Sequence, residues 1–291
     1  MKRMPMLMVS MLIGMIALMG VQSARSQGPR PVDAGGQNAK AIAPFKIFDN
    51  LYYVGIDYVC SYILKTSDGL IMIDTLYGDF INHTVDAVKQ LGLNPKDIKY
   101  VLITHGHQDH FGGAKMIQNL TGARVAMAEA DWTLMERSSR NAPDAIVKRD
   151  IVAKDGDSVT LGDTTVKFYI TPGHTPGVLS MEFPVKEGDK QYKAFLFGGA
   201  NVTSNKVEDF ELFAGAVKRL QTSLSGVDVN LTSHPWQAGI LERGEKIKAR
   251  KAGEPNPYVD PQGFKAFLQE RLSDAQTRLA EAKKAAGQPR D

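Results

Sequence analysis

The segment Thr104-His105-Gly106-His107-Gln108-Asp109-His110-Phe111-Gly112-Gly113 constrains this chain more than any other stretch. It places three histidines and an aspartate within six residues, behind the apolar run Lys99–Thr104 and ahead of the helical pattern Ala114–Leu120. His105 and His107 are two apart on an extended segment and therefore project to the same side. Asp109 and His110 lie where the chain turns toward the helix, so they can face a second point beside the first. Imidazole and carboxylate are the donors that a divalent zinc ion accepts at about 2.0–2.2 Å. A surface coincidence of this composition is rare, and the pattern asks for a fold that gathers ligands at strand ends.

Two further histidines sit in comparable places. His174 lies in Thr171-Pro-Gly-His-Thr-Pro-Gly177, directly after the strand pattern Thr165–Ile170. His234 lies in Thr232-Ser-His-Pro235, directly after Val227–Leu231. Of the six histidines, only His83 falls in a helical stretch, Ile81–Leu91. Each of the other five is held near Pro or Gly at the end of an apolar strand, where loops converge over a sheet.

The hydrophobic periodicity supplies the frame. Phe45–Phe48, Leu51–Val54, Val59–Lys65 and Leu70–Ile73 read as strands, followed by the helix Ile81–Leu91 and the strand–helix alternation from Lys99–Thr104 to Asp131–Arg137. A second block repeats the order: Val159–Leu161, Thr165–Ile170, Leu179–Phe183 and Tyr192–Phe197, then a helix carrying Phe210, Phe213, Val217 and Leu220, then Val227–Leu231. Two such blocks predict an α/β fold of two stacked sheets with helices outside. A turn-rich linker from Gly253 to Gly263 leads to an amphipathic C-terminal helix at about 263–284. The reading is one domain over 44–291.

Composition serves mainly to exclude. Hydrophobic residues are 43% and charged residues 23%, which rules out a disordered or collagenous chain. The single cysteine, Cys60, excludes an intramolecular disulfide. It has no basic neighbour and reads as a buried, inert thiol in the strand Val59–Lys65. A formal net charge of +3 gives no electrostatic reason for a nucleic-acid partner.

Lys2 and Arg3 precede the uncharged apolar run Met4–Gly20, and Ser23, Ala24 and Ser26 offer small residues for cleavage. This is the layout of a secretory signal peptide over 1–26, followed by a Gly/Pro/Ala/Gln-rich leader over 27–43. The alternative is a membrane anchor, since about 17 apolar residues is near the lower limit for spanning. The expectation is a periplasmic protein with no stable membrane anchor after cleavage. Cleavage after Ser23 would leave 33 basic and 32 acidic residues, a net charge of +1.

In motif order, His-x-His-x-Asp-His, then Gly-His in a Pro/Gly turn, then Ser-His-Pro, the chain resembles the metallo-β-lactamase superfamily, and within it the subclass B3 metallo-β-lactamases. The resemblance covers about Phe45 to Leu279, and Ile71-Met-Ile-Asp-Thr75 is similar to the family's strand ending in a supporting aspartate. It implies an αββα sandwich with two zinc ions at one edge of the sheets. Carried over by motif, His105, His107 and His174 would hold one zinc, and Asp109, His110 and His234 the other. Asp74 would support the ligands, and Asp109 would also position the attacking hydroxide. Asn201, Thr203 and Ser204 are candidates for a substrate carboxylate.

The implied activity is hydrolysis of the amide of a small-molecule β-lactam. Many other hydrolases of this fold, glyoxalase II among them, carry a bridging aspartate after the strand equivalent to Tyr192–Phe197. Here Phe197-Gly-Gly-Ala-Asn-Val-Thr203 has no carboxylate and no cysteine. The alternatives are a lactone, thioester or sulfate-ester hydrolase of the same fold, and a metal-binding protein without catalysis.

Overall fold

The first four strands are β1 (Phe45–Phe48), β2 (Leu51–Tyr53), β3 (Tyr62–Thr66) and β4 (Gly69–Ile73), paired antiparallel in sequence order. Parallel strands β5 (Ile98–Leu102), β6 (Arg124–Ala128) and β7 (Ile151–Ala153) extend the same sheet from β4. The second sheet runs β8 (Ser158–Leu161), β9 (Thr164–Ile170), β10 (Leu179–Glu187) and β11 (Lys190–Phe197) antiparallel, and then β12 (Val229–Thr232) parallel to β11. The computed structural model describes residue 36 and residues 38–138 and 146–287. The proposed export segment 1–26 lies outside them, as does the leader up to residue 35.

Alternation along the strands builds three apolar layers. Tyr62, Leu64, Ile71 and Ile73 point inward and meet Phe168, Met181, Phe183, Ala194 and Leu196 of the other sheet. Their neighbours Ile63 and Met72 point outward, under α1 (Phe80–Gln90), α3 (Ala114–Thr121) and α4 (Glu129–Ser138), against Val85, Ile117 and Trp132. On the far side Phe195 and Phe197 receive Phe213 and Val217 of α5 (Val207–Ser223) and Phe264 and Phe267 of α7 (Pro261–Ala286). Strands buried on both faces require apolar residues at nearly every position, as in Leu70–Ile73 of β4 and Ala194–Phe197 of β11. The helix–sheet–sheet–helix order is the expected sandwich.

Among the elements that the periodicity did not mark are the three-residue strand β7 and the helix α6 (Ile240–Ala249). The strand expected at Val59–Lys65 starts instead at Tyr62. Cys60 N–H donates to Ser233 O at 2.9 Å and Ser61 Oγ to Asp74 O at 2.8 Å, so these residues bond to neighbouring loops. No helix among the described residues is long and apolar enough to cross a membrane.

The topology decides where loops gather. Strands β4 and β5 are parallel, and so are β11 and β12. Strand β9 shares the direction of β11 because both are antiparallel to β10. The C-terminal ends of these strands therefore open onto one edge. There the two sheets are tied by Leu179 N–H donating to Thr104 O at 2.7 Å.

Candidate metal centre

Asp74 follows β4 with φ of 56°, a left-handed conformation that aspartate adopts more readily than most residues. The turn aims its carboxylate at the next loop. Oδ1 accepts Thr104 N–H at 2.8 Å, and Oδ2 accepts the Thr104 hydroxyl and His110 Nδ1–H, each at 2.8 Å. His107 caps the short helix α2 (Gln108–Phe111), which carries Asp109 and His110.

Two groups of donors result. The ligand atoms of His105, His107 and His174 lie within 4.8 Å of one another, and so do those of Asp109, His110 and His234. His174 Nε2 is 3.1 Å from His107 Nδ1 and 3.1 Å from His105 Nε2. His110 Nε2 is 3.3 Å from His234 Nε2 and 3.3 Å from Asp109 Oδ2, while His234 Nε2 is 3.9 Å from Asp109 Oδ2. The edge of a tetrahedron with metal–nitrogen bonds of about 2.0–2.1 Å is roughly 3.3–3.4 Å. The donor sets fit zinc in type and in spacing.

The outer nitrogens fix the tautomers. His105 Nδ1 lies 3.0 Å from Gly198 O, His174 Nδ1 3.0 Å from Asn201 O, and His234 Nδ1 2.7 Å from Tyr58 O. A carbonyl only accepts, so each Nδ1 carries the proton and each Nε2 lone pair faces the site. His110 Nδ1 likewise donates, to Asp74 Oδ2 at 2.8 Å.

Electrostatics separates the two groups. Burial pushes His105 well below the usual imidazole range and His107 below it, and brings His174 down to about 3 and His234 to about 4. Positive charge on neighbouring histidines adds to each shift. These four rings are neutral at neutral pH, the form a metal ligand requires. Burial also opposes charge on His110, but the carboxylates of Asp109 and Asp74 outweigh it and raise that ring to about 10. Burial likewise works against ionised Asp109, yet the positive charge of His110 holds its carboxyl below the usual range. The second group thus takes a proton where a cation would otherwise sit.

The expected substrate contacts divide. Asn201 stands at the site: its carbonyl accepts from His174, and its side-chain Oδ1 accepts from Gln237 Nε2 at 3.0 Å. Thr203 is exposed on the same loop. The Ser204 hydroxyl donates to Asp209 Oδ2 at 2.5 Å and accepts Lys206 N–H at 3.2 Å, bracing the start of α5. That hydroxyl is engaged at the helix end. His83 stays apart in α1, with Nε2 3.3 Å from Gly55 O.

Spacing arguments missed three contributors. Tyr58 and Trp236 place their rings 5.3 and 4.4 Å from that of His234. Trp236 directly follows the Ser-His-Pro motif, a signal that was available. Asp131, fully buried on the first turn of α4, bonds to the loops of His105–His107 and His174. Nothing in its sequence neighbourhood marks it.

The family model of the metallo-beta-lactamase superfamily matches residues 54–187. BJP-1, a subclass B3 metallo-beta-lactamase of Bradyrhizobium japonicum, superimposes with a TM-score of 0.76 at 33% identity, covering 84% of this chain and 97% of that one. The chain belongs to the metallo-beta-lactamase superfamily. FEZ-1 from Legionella gormanii matches with a TM-score of 0.76 at 28% identity, over 84% of this chain and 98% of that one. Among curated sequences, a hydroxyacylglutathione hydrolase of Pseudomonas putida is 29% identical over 164 residues, 55% of this chain and 54% of that protein. One from Francisella philomiragia is 28% identical over 187 residues, 62% of this chain and 64% of its own length. The chain thus spans between about half and two thirds of these curated relatives.

Proposed function

We propose that this superfamily member is a zinc-dependent hydrolase that opens the amide bond of β-lactams. The observation that carries the reading is the pair of complete donor groups with no carboxylate from the Phe197–Thr203 stretch between them. Gly198 and Asn201 offer only backbone carbonyls there, to His105 and His174. The near-complete overlap with two solved metallo-beta-lactamases supports it.

Zinc, when bound, supplies a Lewis acid for a carbonyl oxygen and acidifies a water toward a pKa of ~7. The chain's own residues do the rest. The Nδ1 bonds hold the histidine lone pairs toward the site. Asp109, 25% exposed and ionised, is placed to take a proton from the attacking water and return it to the departing nitrogen. Gln237 fixes the Asn201 amide through Oδ1, which leaves the Asn201 Nδ2 protons to meet a substrate carboxylate. Export by residues 1–26 to the periplasm belongs to the same proposal, on the three-part layout of that segment.

A second reading, hydrolysis of a glutathione thioester, draws on the curated relatives named hydroxyacylglutathione hydrolase. One experiment separates them. The zinc-loaded protein lacking residues 1–26 is tested on a penicillin, a cephalosporin, a carbapenem, an acyl-homoserine lactone and a glutathione thioester, with and without chelator. Chelator-sensitive opening of the β-lactams, with the others slow, is the expected result. Bound zinc with untouched β-lactams would sink the first reading, and thioester turnover would establish the second.

A further inference from the structure

Asp131 is a fully buried carboxylate with no place among the donors. Its Oδ2 accepts Gly106 N–H at 2.9 Å and the Thr175 hydroxyl at 2.6 Å, and its Oδ1 accepts Gly177 N–H at 2.9 Å. Gly106 separates His105 from His107, and Thr175 directly follows His174. One side chain is therefore bonded to both loops that carry the His105, His107 and His174 group.

The packing is equally tight. A Cβ on Gly106 would fall 2.7 Å from Asp131 O, and one on Gly177 would fall 2.8 Å from Asp131 Oδ1. The start of α4 sits on both turns with no space for a side chain. Removing a carboxylate from water is unfavourable unless donors compensate it, and here two backbone N–H groups and a hydroxyl do so. An apolar side chain would fill the position without that demand. The His107 Nδ1 to His174 Nε2 separation of 3.1 Å joins donors from the two loops that Asp131 clamps.

We infer that Asp131 is the positioning residue of the His105, His107 and His174 group, setting the distance between its two loops so that the three nitrogens converge on one ion. The inference rests on the metal-binding part of the functional reading. It assigns the first group a buried carboxylate that acts through the backbone, as Asp74 acts on the second through His110. Loss of such outer partners typically weakens metal affinity 10–100-fold.

Asp131→Asn is the direct test. The NH2 group must face either Gly177 N–H or Gly106 N–H, so at least one bond becomes donor against donor. Zinc affinity of each group is read by stepwise titration against a chromophoric chelator, and the first group is identified by its cobalt(II) absorption in a His234→Ala background. The expected result is a 10–100-fold weaker first group, with the second group changed by less than about threefold. Thr175→Val removes one donor without crowding and should weaken the first group about three- to tenfold, while Thr175→Ser should restore it. That pair carries the test if Asp131→Asn fails to fold. A folded Asp131→Asn with unchanged first-group affinity, or equal weakening of both groups, would overturn the inference. So would identical behaviour of Thr175→Val and Thr175→Ser. Absence of zinc binding by the native protein would overturn this inference and the metal-dependent reading together, whereas native binding with unaffected variants would overturn this inference alone.

Discussion

Asp74→Asn tests the second donor group with the least disturbance of shape, because asparagine fits the same volume and tolerates the left-handed backbone at φ 56°. The native carboxylate takes three hydrogen bonds, from Thr104 N–H, the Thr104 hydroxyl and His110 Nδ1–H. The amide has one acceptor oxygen. If its NH2 takes the place of Oδ1 it opposes Thr104 N–H, and if it takes the place of Oδ2 it opposes His110 Nδ1–H. One buried donor left without an acceptor costs about 1–3 kcal/mol of folding stability. His110 can escape the clash only by moving its proton to Nε2, the nitrogen that faces Asp109 and His234. That tautomer has no lone pair on the nitrogen that faces the second group. The second group should therefore lose 10–100-fold in zinc affinity, about 1.4–2.7 kcal/mol. Chelator-competition titration at pH 7.5 reads this directly, and urea unfolding of the metal-free protein reads the stability term. A second-step affinity within twofold of the native value would refute the view that Asp74 sets the His110 tautomer.

Other consequences are open to simpler measurements. His110 is raised to about 10 from its ordinary 6.5, so its contribution to metal-free stability is complete below pH 6.5 and is lost as pH rises through about 10. Zinc must displace that proton: uptake at the second group should release one proton at pH 8 and strengthen about tenfold per pH unit between 6.5 and 10. Calorimetry in two buffers of different ionisation enthalpy checks the count. The first group, with its imidazoles already neutral, should vary little over the same range. Gly173→Ala adds a Cβ that would lie 2.4 Å from Phe213 Cβ at a backbone φ of 134°, so the His174 turn and α5 must separate. A loss of about 2–4 kcal/mol in urea unfolding is expected. Cys60 is buried and its thiol is pushed up by desolvation, so a thiol reagent at pH 8 should modify it only after unfolding.

The donor residues were legible because ligand spacing is a local property. His-x-His-x-Asp-His states its geometry within six residues, and each remaining histidine stands beside Pro or Gly at a strand end. The residues that hold the donors are legible only where the chain happens to mark them. Asp74 ends an apolar strand and was visible. Asp131 reads as an ordinary acid in the first turn of a helix, where the helix dipole favours one, and its partners lie 25, 44 and 46 residues away. Val59 and Cys60 extend the apolar run into β3, yet this loop offers Tyr58 O to His234 and Cys60 N–H to Ser233. Apolar character alone does not separate a buried loop from a strand. Ser204 shows the same limit: a hydroxyl three residues before a helix can serve the helix end, a role its loop sequence does not announce.

The two donor groups share an edge but not an environment, and that difference follows from which elements back them. Behind His105 and His174 stand carbonyls of the β11–α5 loop, which fix tautomers without adding charge. Behind His110 stands the Asp74 carboxylate, and Asp109 adds a second negative charge beside it. A divalent cation entering the second group meets two carboxylates and must displace a proton; one entering the first meets neutral imidazoles, with the Asp131 carboxylate held behind their loops, and displaces none. Above about pH 10 the proton no longer competes, and Coulomb attraction alone should favour the second group. Near neutral pH the proton offsets that advantage. The order in which the two groups fill is thus set by pH as well as by ligand type, and the strand ends that place Asp74 behind one group and only carbonyls behind two rings of the other are the structural origin of the difference.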